Sequence, residues 1–352
     1  MKLKNVPILK LTVFAMLFVF STVVSAHVKW FSEYDLSQPP LPIGDIFNGQ
    51  YALFFVGSVV FVYVFFWFDR YLYRNKFLVH IVDRVIISDA SASIILRVAS
   101  FLFFTSLFVY GLKGHTFYLT PELQTELPFV MWVHLAMAVF ALSRYTTPVI
   151  GLLILLLYSL VIADYGLYHA IDYMVFVGLA YFFIVSATKK QAWLTSRFVI
   201  LFASLGLNLC WLASEKWAFP HWTVPLLEQN PNLLLGMNPH FYMVLAGFVE
   251  FNIAFVLLSS ASSFSRIVAL GLSSIFVLAI YQFGVIDAVG HLFIIAILAI
   301  LVLRGPTNAR FFLVLSDKSL WAEAYFMTGL YVLALTMIFT AYYGLYFLLV
   351  TH

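Results

Sequence analysis

The sequence predicts an all-α fold: a polytopic helical membrane protein with about ten transmembrane helices, eight of which form two parallel four-helix repeats. Of the 352 residues, 63% are hydrophobic and only 10% are charged, which excludes an ordinary soluble domain. Apolar segments near the roughly 20 residues needed to cross a bilayer recur along the chain. Two long stretches of the chain also align with one another, which indicates an internal duplication.

The chain begins with a segment that is typical of secreted and membrane proteins. Residues 1–26 combine basic residues, an apolar stretch and a small-residue site at positions 24–26, and so predict a cleaved signal peptide. An uncleaved first span is the alternative, because the apolar run is nearly long enough to anchor. Cleavage would leave His27 at the N-terminus, where its amine and imidazole suit copper(II). A chance histidine is the alternative reading. Residues 27–50 form a polar, proline-rich periplasmic tether.

Ten apolar segments follow this tether, and each is predicted to cross the membrane. They are residues 51–68, 95–112, 127–142, 147–163, 171–187, 198–213, 240–258, 267–283, 287–303 and 325–350. The first belongs to a flanking region, residues 51–94, that ends in a basic, amphipathic segment along the inner membrane surface. The last belongs to a C-terminal flanking helix within residues 322–352.

Basic residues are distributed unequally between the predicted loops. Thirteen lie in or beside the loops on one side of the membrane, against three on the other side of the mature chain. The positive-inside rule therefore places the first side in the cytoplasm and both termini in the periplasm, with the chain in a bacterial cytoplasmic (inner) membrane. Eight of the nine histidines fall on the outer side.

Charge and motif content exclude several functions. The formal net charge is only +3 and no basic stretch is dense enough to follow a row of phosphates, so we expect no nucleic-acid partner. The single cysteine, Cys210, excludes an internal disulfide and a thiolate metal site. The sequence has no GxSxG, HExxH or Gly-rich phosphate motif. The sequence therefore shows no motif of a self-contained enzyme, and we expect the lipid bilayer as its first partner.

The two predicted repeats cover residues 95–187 and 196–304. Arg97 aligns with Arg197, and each copy begins on the inner side, so the copies are parallel. The alignment pairs three histidines of the first copy with three carboxylates of the second: His115 with Glu215, His134 with Glu250, and His169 with Asp287. Both copies therefore carry ionisable groups at matched positions, with histidine in one and an acid in the other.

The second repeat carries a pattern of short motifs. LASEKWAFP contains Glu215 and Lys216, AGFVEFNIAFVLL contains Glu250, and DAVGHLFIIAILAIL contains Asp287 and His291. In this pattern the segment resembles the DoxX-like family of four-helix membrane proteins, and the first repeat does so only through the duplication. The resemblance implies an accessory role beside a periplasmic or membrane redox protein. The duplication and the flanking helices depart from that family.

One candidate site lies in the first repeat. His115 falls at the outer end of one span and His134 about two turns into the next, while His169 and Asp172 share a face where a later span begins. Bundle sites draw their ligands from such facing helices. Imidazoles with a carboxylate suit copper, zinc or iron. The alternative is that these histidines form hydrogen bonds between helices. Haem is disfavoured, because no glycine-lined slot accompanies the histidines.

A second candidate site lies in the second repeat, as a quinone-binding or proton-relay cluster of Glu215, Lys216, Glu250, Asp287 and His291. Asp287 and His291 are four residues apart, so on a helix the carboxylate can orient the imidazole. We expect Glu215 and Lys216 to form an ion pair at the interface. A polar plug that holds the helices in register is the alternative. A cation or metal transporter, and a structural subunit that anchors a periplasmic partner, are the other functions left open.

Overall fold

The computed structural model describes residues 38–75, 87–234, 236–260, 262, 264–305 and 319–350. Within these ranges the chain is helical, with one isolated β-bridge between Phe117 and Gln124. The predicted signal peptide, His27 and most of the predicted inner amphipathic segment lie outside the described residues and stay predictions.

Eleven helices of eight or more residues are present in these ranges. They are α1 (Gly49–Arg74), α2 (Asp89–Leu112), α3 (Phe129–Ala141), α4 (Thr147–Ala170), α5 (Met174–Val185), α6 (Gln191–Ala218), α7 (Pro220–Gln229), α8 (Pro239–Ser259), α9 (Phe264–Phe283), α10 (Val285–Arg304) and α11 (Leu320–Leu349). Single turns at Ile43–Ile46, Ile171–Tyr173 and Pro231–Leu234 connect or precede them.

Polar residues mark where several of these helices begin. Asn48, Ser88, Asn238 and Ser319 each accept a hydrogen bond from a backbone N–H of the first turn that follows. These N–H groups have no partner within the helix, so a side-chain oxygen at this position stabilises the helix start. After Asn238, Pro239 occupies the first helical turn, where its missing N–H costs nothing.

Seven helical stretches of the described chain are long and apolar enough to cross a membrane. They are Gly49–Arg74, Asp89–Leu112, Thr147–Val185, Gln191–Ala218, Pro239–Ser259, Val285–Arg304 and Leu320–Leu349. Thr147–Val185 combines α4, a turn and α5, while Phe129–Ala141 and Phe264–Leu278 are shorter apolar helices. The chain is thus a multi-pass helical membrane protein with apolar faces for lipid, and the count of ten crossings stays a prediction.

The helices pack in two groups. We call α2–α5 the first helix group and α6 with α8–α10 the second helix group. In the first, α2 packs on α3 and α4 on α5; in the second, α6 packs on α8 and α9 on α10. The groups meet twice, through α5 against α6 and through α10 against α2. Helices α1 and α11 pack on each other beside the second group.

Aromatic side chains fill the centre where the groups meet. Phe103 and Phe104 of α2, Phe176 of α5 and Phe293 of α10 are all buried, and the rings of Phe103 and Phe293 have centroids 4.7 Å apart. We call the end of the bundle that holds residues 113–128 and 219–238 the outer end, after the predicted orientation. Because the centre is apolar, the buried ionisable residues lie towards the two ends.

A hydrogen-bonded network fixes the flanking helices at the inner end. Asp69 of α1 accepts hydrogen bonds from the hydroxyls of Ser260 (2.5 Å) and Ser262 (2.6 Å) in the α8–α9 connection. Arg70 donates to Asp69 at 2.9 Å and lies 3.9 Å from Glu323 of α11. All of these groups are buried, so the network ties α1, α11 and the second group together.

Two glycines share an unusual backbone conformation near the outer end. Gly166 in α4 has φ 82° and ψ 161°, and Gly284 before α10 has φ 81° and ψ −157°. Residues with a Cβ atom are essentially absent from this region. Each glycine redirects the chain just before an ionisable residue, His169 in the first group and Asp287 in the second.

Candidate functional site

The loop between α2 and α3, residues 113–128, folds back onto the outer end of the first helix group. The N–H of Tyr118 donates to the carbonyl of Leu123 at 2.7 Å, and that of Thr125 donates to the carbonyl of Thr116 at 2.9 Å. Tyr118 and Leu123 are fully buried. This segment is therefore an ordered plug, whereas the sequence predicted only a connection between two spans.

His134 lies on α3 beneath this plug. Its Nε2 atom is 2.9 Å from the carbonyl oxygen of Tyr118, and its ring stacks on Phe104 with centroids 6.1 Å apart. The Tyr118 hydroxyl donates to Asp164, and burial together with this hydrogen bond raises the pKa of Tyr118 above its ordinary value. His134 thus supports a loop carbonyl and its ring packs in the core.

His169 joins two buried carboxylates. Its Nε2 atom is 2.9 Å from Glu122 of the plug, and its Nδ1 atom is 3.8 Å from Asp172. The hydroxyl of Tyr173 also donates to Glu122, and the indole of Trp211 donates to Asp172 at 2.8 Å. The imidazole therefore connects the plug with the α4–α5 turn, and Trp211 connects that turn with α6.

Of the predicted metal ligands, the structure places His169 and Asp172 3.8 Å apart, whereas His134 contacts the carbonyl of Tyr118. His115 is exposed on the plug, while His134 and His169 are buried in separate hydrogen-bonded contacts. In the part of the chain that the structure describes, no group of three or more His, Cys, Asp or Glu side chains is placed to hold a metal ion. The buried histidines bind the plug instead, as the hydrogen-bonding alternative expects.

Asp287 and His291 form a buried pair at the outer end of the second helix group. The Asp287 carboxylate and the His291 Nδ1 atom are 3.1 Å apart, and both side chains have zero exposure. The ring of Phe276 on α9 lies against the imidazole, with centroids 4.7 Å apart. The two side chains share one helix face, as their spacing of four residues predicts, and the Nδ1 atom is also 3.1 Å from the backbone carbonyl oxygen of Asp287.

The other members of the second candidate site separate. Lys216 pairs with Glu250 of α8 at 2.9 Å, with 12% and 16% of the two side chains exposed, so the expected Glu215–Lys216 ion pair is wrong. Consecutive residues on a helix point about 100° apart and cannot face each other. Glu215 is buried on α6 and interacts electrostatically with Tyr342 of α11.

A buried aromatic cluster surrounds the acids between the first group and α11. It contains Tyr168, Trp211, Phe219, Trp222, Tyr342 and Tyr346. Trp211 and Tyr342 have ring centroids 4.6 Å apart, and Phe219 stacks on Trp222 at 4.0 Å. Helix α7 brings Trp222 into this cluster. The segment between α6 and α8, residues 219–238, therefore packs on the outer end of the bundle.

Sequence reasoning missed Glu122, Trp211 and Phe276 as members of these sites. Glu122 looks like an ordinary loop acid until the plug folds inward. Trp211 stands four residues before Glu215 and shares its helix face, which is a local signal that was available. Phe276 reaches His291 from a different helix, and no spacing indicates that contact.

No family model, curated protein or solved structure matches this chain. Its function is therefore inferred from its own residues and contacts.

Proposed function

We propose that this chain is an accessory subunit of a quinone-linked redox system and that it binds a quinone headgroup at its outer end through the Asp287–His291 pair. The observation that carries the proposal is the complete burial of this ionisable pair, 3.1 Å apart, in a membrane helix. Ionisable residues at such depth are costly and by default mark a function.

The geometry of the pair suits a quinone headgroup. Asp287 holds the Nδ1 side of His291, so the opposite nitrogen, Nε2, is the atom that would meet a carbonyl oxygen and exchange a proton with it. Phe276 offers an aromatic surface beside the imidazole, and flat rings stack well on such surfaces. A bound quinone supplies the redox chemistry, and this chain supplies orientation, a dry environment and a proton at His291.

A quinone is better supported than a transition metal. His134 contacts a backbone carbonyl and His169 lies between Glu122 and Asp172, so the first group's buried imidazoles already serve the plug. A metal site would need several such groups to converge on one point. The copper, zinc or iron site therefore has less support than the pair in the second group.

We also propose that the chain crosses the membrane ten times and contains two parallel DoxX-like repeats. The strongest support is the matched conformation of Gly166 and Gly284, which the repeat alignment places side by side. The packing supports it too, because α5 meets α6 as α10 meets α2, the pattern expected of two copies related by a pseudo-axis along the membrane normal.

The proposal also places both termini in the periplasm and the chain in a bacterial inner membrane. Its support is the basic residues at one end of the bundle, among them Arg70, Arg97, Arg144 and Arg197, since positive charge is retained on the cytoplasmic side. The quinone-binding end then faces the periplasm, where a periplasmic or membrane redox protein would dock.

The test is quinone-dependent stabilisation of the purified full chain in detergent. A short-chain ubiquinone or menaquinone analogue at about 100 times its Kd should stabilise the wild type by about 2.7 kcal/mol. His291→Gln and Asp287→Asn should lose most of this stabilisation. His115→Gln, which removes an exposed histidine, should keep it.

Two results would count against the proposal. Equal stabilisation of wild type and His291→Gln would place any quinone elsewhere. No stabilisation of the wild type by either quinone class would leave the Asp287–His291 pair as a structural contact only.

A further inference from the structure

A cavity of about 700 Å³ lies at the inner end of the bundle, at the opposite helix ends from the plug. It is bounded by the start of α2, the α3–α4 connection, the end of α5 and the start of α6. The basic side chains that line it are Arg97, Arg144, Lys189 and Arg197. Phe182 and Phe183 add an apolar wall, and no acidic side chain is among the described residues that line it.

The positive charge of the first two arginines is not neutralised by an acid in their described contacts. Arg97 donates from Nε to the carbonyl of Ala141 at 2.9 Å and from Nη2 to the carbonyl of Leu142. Arg144 donates to the hydroxyl of Tyr145 at 2.6 Å and lies over its ring. These partners are neutral, so they orient the guanidinium groups and leave their charge for a ligand.

Arg197 is largely withdrawn from solvent, with 11% of its side chain exposed. Its Nη2 atom is 3.8 Å from Asp89, but that carboxylate is closer to Arg304, at 2.7 Å. The Nε–H of Arg197 is buried and has no hydrogen-bond acceptor among the described residues. A buried donor without an acceptor is costly, and an anionic oxygen in the cavity would satisfy it.

Exposed aromatic residues place the cavity at the depth of lipid headgroups. Tyr145 is 76% exposed beside it, and Trp193 at the start of α6 is 50% exposed. Tyr and Trp concentrate where the hydrocarbon meets the headgroup layer. The cavity thus combines basic groups, apolar walls and an interfacial position.

We propose that this cavity binds the phosphate headgroup of an anionic glycerophospholipid, with charge for two phosphates as in cardiolipin. Arginine guanidinium groups bind phosphate oxygens through paired N–H donors. Basic pockets between transmembrane helices on the cytoplasmic side are suited to such headgroups. The wall formed by Phe182 and Phe183 favours a lipid over a free anion, because an acyl chain or glycerol backbone can pack on it.

Binding of defined lipids to the purified full chain in detergent tests this proposal. The probes are cardiolipin, phosphatidylglycerol, phosphatidylcholine and inorganic phosphate, and the readout is Kd from native mass spectrometry or thermophoresis. The variant Arg144→Gln/Lys189→Gln removes two exposed bases that line the cavity. Each base near a membrane surface is worth about fivefold in affinity, so cardiolipin binding should weaken by about 25-fold.

Lys190→Gln is the matched control, because Lys190 is the next residue, is equally exposed and does not line the cavity. It should change the Kd for cardiolipin by no more than about twofold. Equal affinity of wild type and double variant would overturn the proposal. Phosphatidylcholine binding as tightly as cardiolipin would overturn the headgroup assignment, and inorganic phosphate competing at equal concentration would reassign the cavity to a free anion.

Discussion

The two helix groups hold the ionisable residues that the predicted repeat alignment pairs in different kinds of contact. In the first group, His134 and His169 contact the plug at residues 113–128, through a carbonyl and through Glu122. In the second group, the aligned residues Glu250 and Asp287 pair with basic side chains on helices, Lys216 and His291. The first group therefore holds a loop in place, and the second holds charge within the bundle.

The two kinds of contact differ in the group that each histidine meets. The imidazole of His134 supports a loop carbonyl through Nε2, while its buried Nδ1 atom has no hydrogen-bond partner among the described residues. The imidazole of His291 instead lies beside a buried carboxylate within the bundle. The proposed function therefore rests on Asp287 and His291 and not on the histidines of the first group.

The largest effect should come from breaking the pair in the second group. His291→Ala would leave the Asp287 carboxylate buried without its imidazole, so the free energy of unfolding should fall by about 3–5 kcal/mol. Unfolding of the purified chain in detergent measures this loss. The control is Asp287→Leu/His291→Leu, which should recover most of it because no buried charge remains. A loss below about 1 kcal/mol in His291→Ala would contradict a charged pair.

In the first helix group, the next largest effect should come from freeing the plug, residues 113–128. His169→Gln weakens the contact between Glu122 and the α4–α5 turn, and we expect a loss of about 2 kcal/mol with new protease cleavage within residues 113–128. His291→Ala should leave that loop as protected as in the wild type. Limited proteolysis followed by mass spectrometry measures cleavage of this loop in both variants. Equal loop cleavage in the two variants would erase the distinction between the groups.

Replacing Gly166 or Gly284 should lower the stability of the chain by similar amounts. Gly166→Ala and Gly284→Ala place a Cβ atom in a conformation available essentially to glycine alone, at a cost of about 1–3 kcal/mol each. Thermal unfolding compares them with Gly329→Ala, where a helical glycine has open space around it and the change should stabilise slightly. Clearly unequal costs at Gly166 and Gly284 would weaken the case for a duplication.

The smallest effect should come from the partly exposed pair. Lys216→Gln should lower the free energy of unfolding by less than about 1 kcal/mol, because water screens the Lys216–Glu250 attraction. Unfolding measured at low and high salt should show the difference between wild type and variant shrinking as salt rises. A salt-independent loss of several kcal/mol would mean that this pair belongs with Asp287 and His291.

The sequence could predict the helices and one side-chain pair because both depend on local spacing. A helix covers most of each predicted apolar segment, and the spacing of Asp287 and His291 placed them on one helix face. The plug was not predictable in the same way. Its contacts depend on Tyr118 meeting α3 and on Glu122 meeting His169, and no periodic pattern records a loop that folds inward.

Composition and periodicity alone thus determined an all-helical membrane chain, the positions of its apolar helices and the Asp287–His291 pair. The tertiary structure decided the partners of His134, His169, Lys216 and Arg197. The physical reason is that hydrophobicity and helix geometry act over a few residues, whereas the partner of a buried polar group is whichever group packing brings within hydrogen-bond distance.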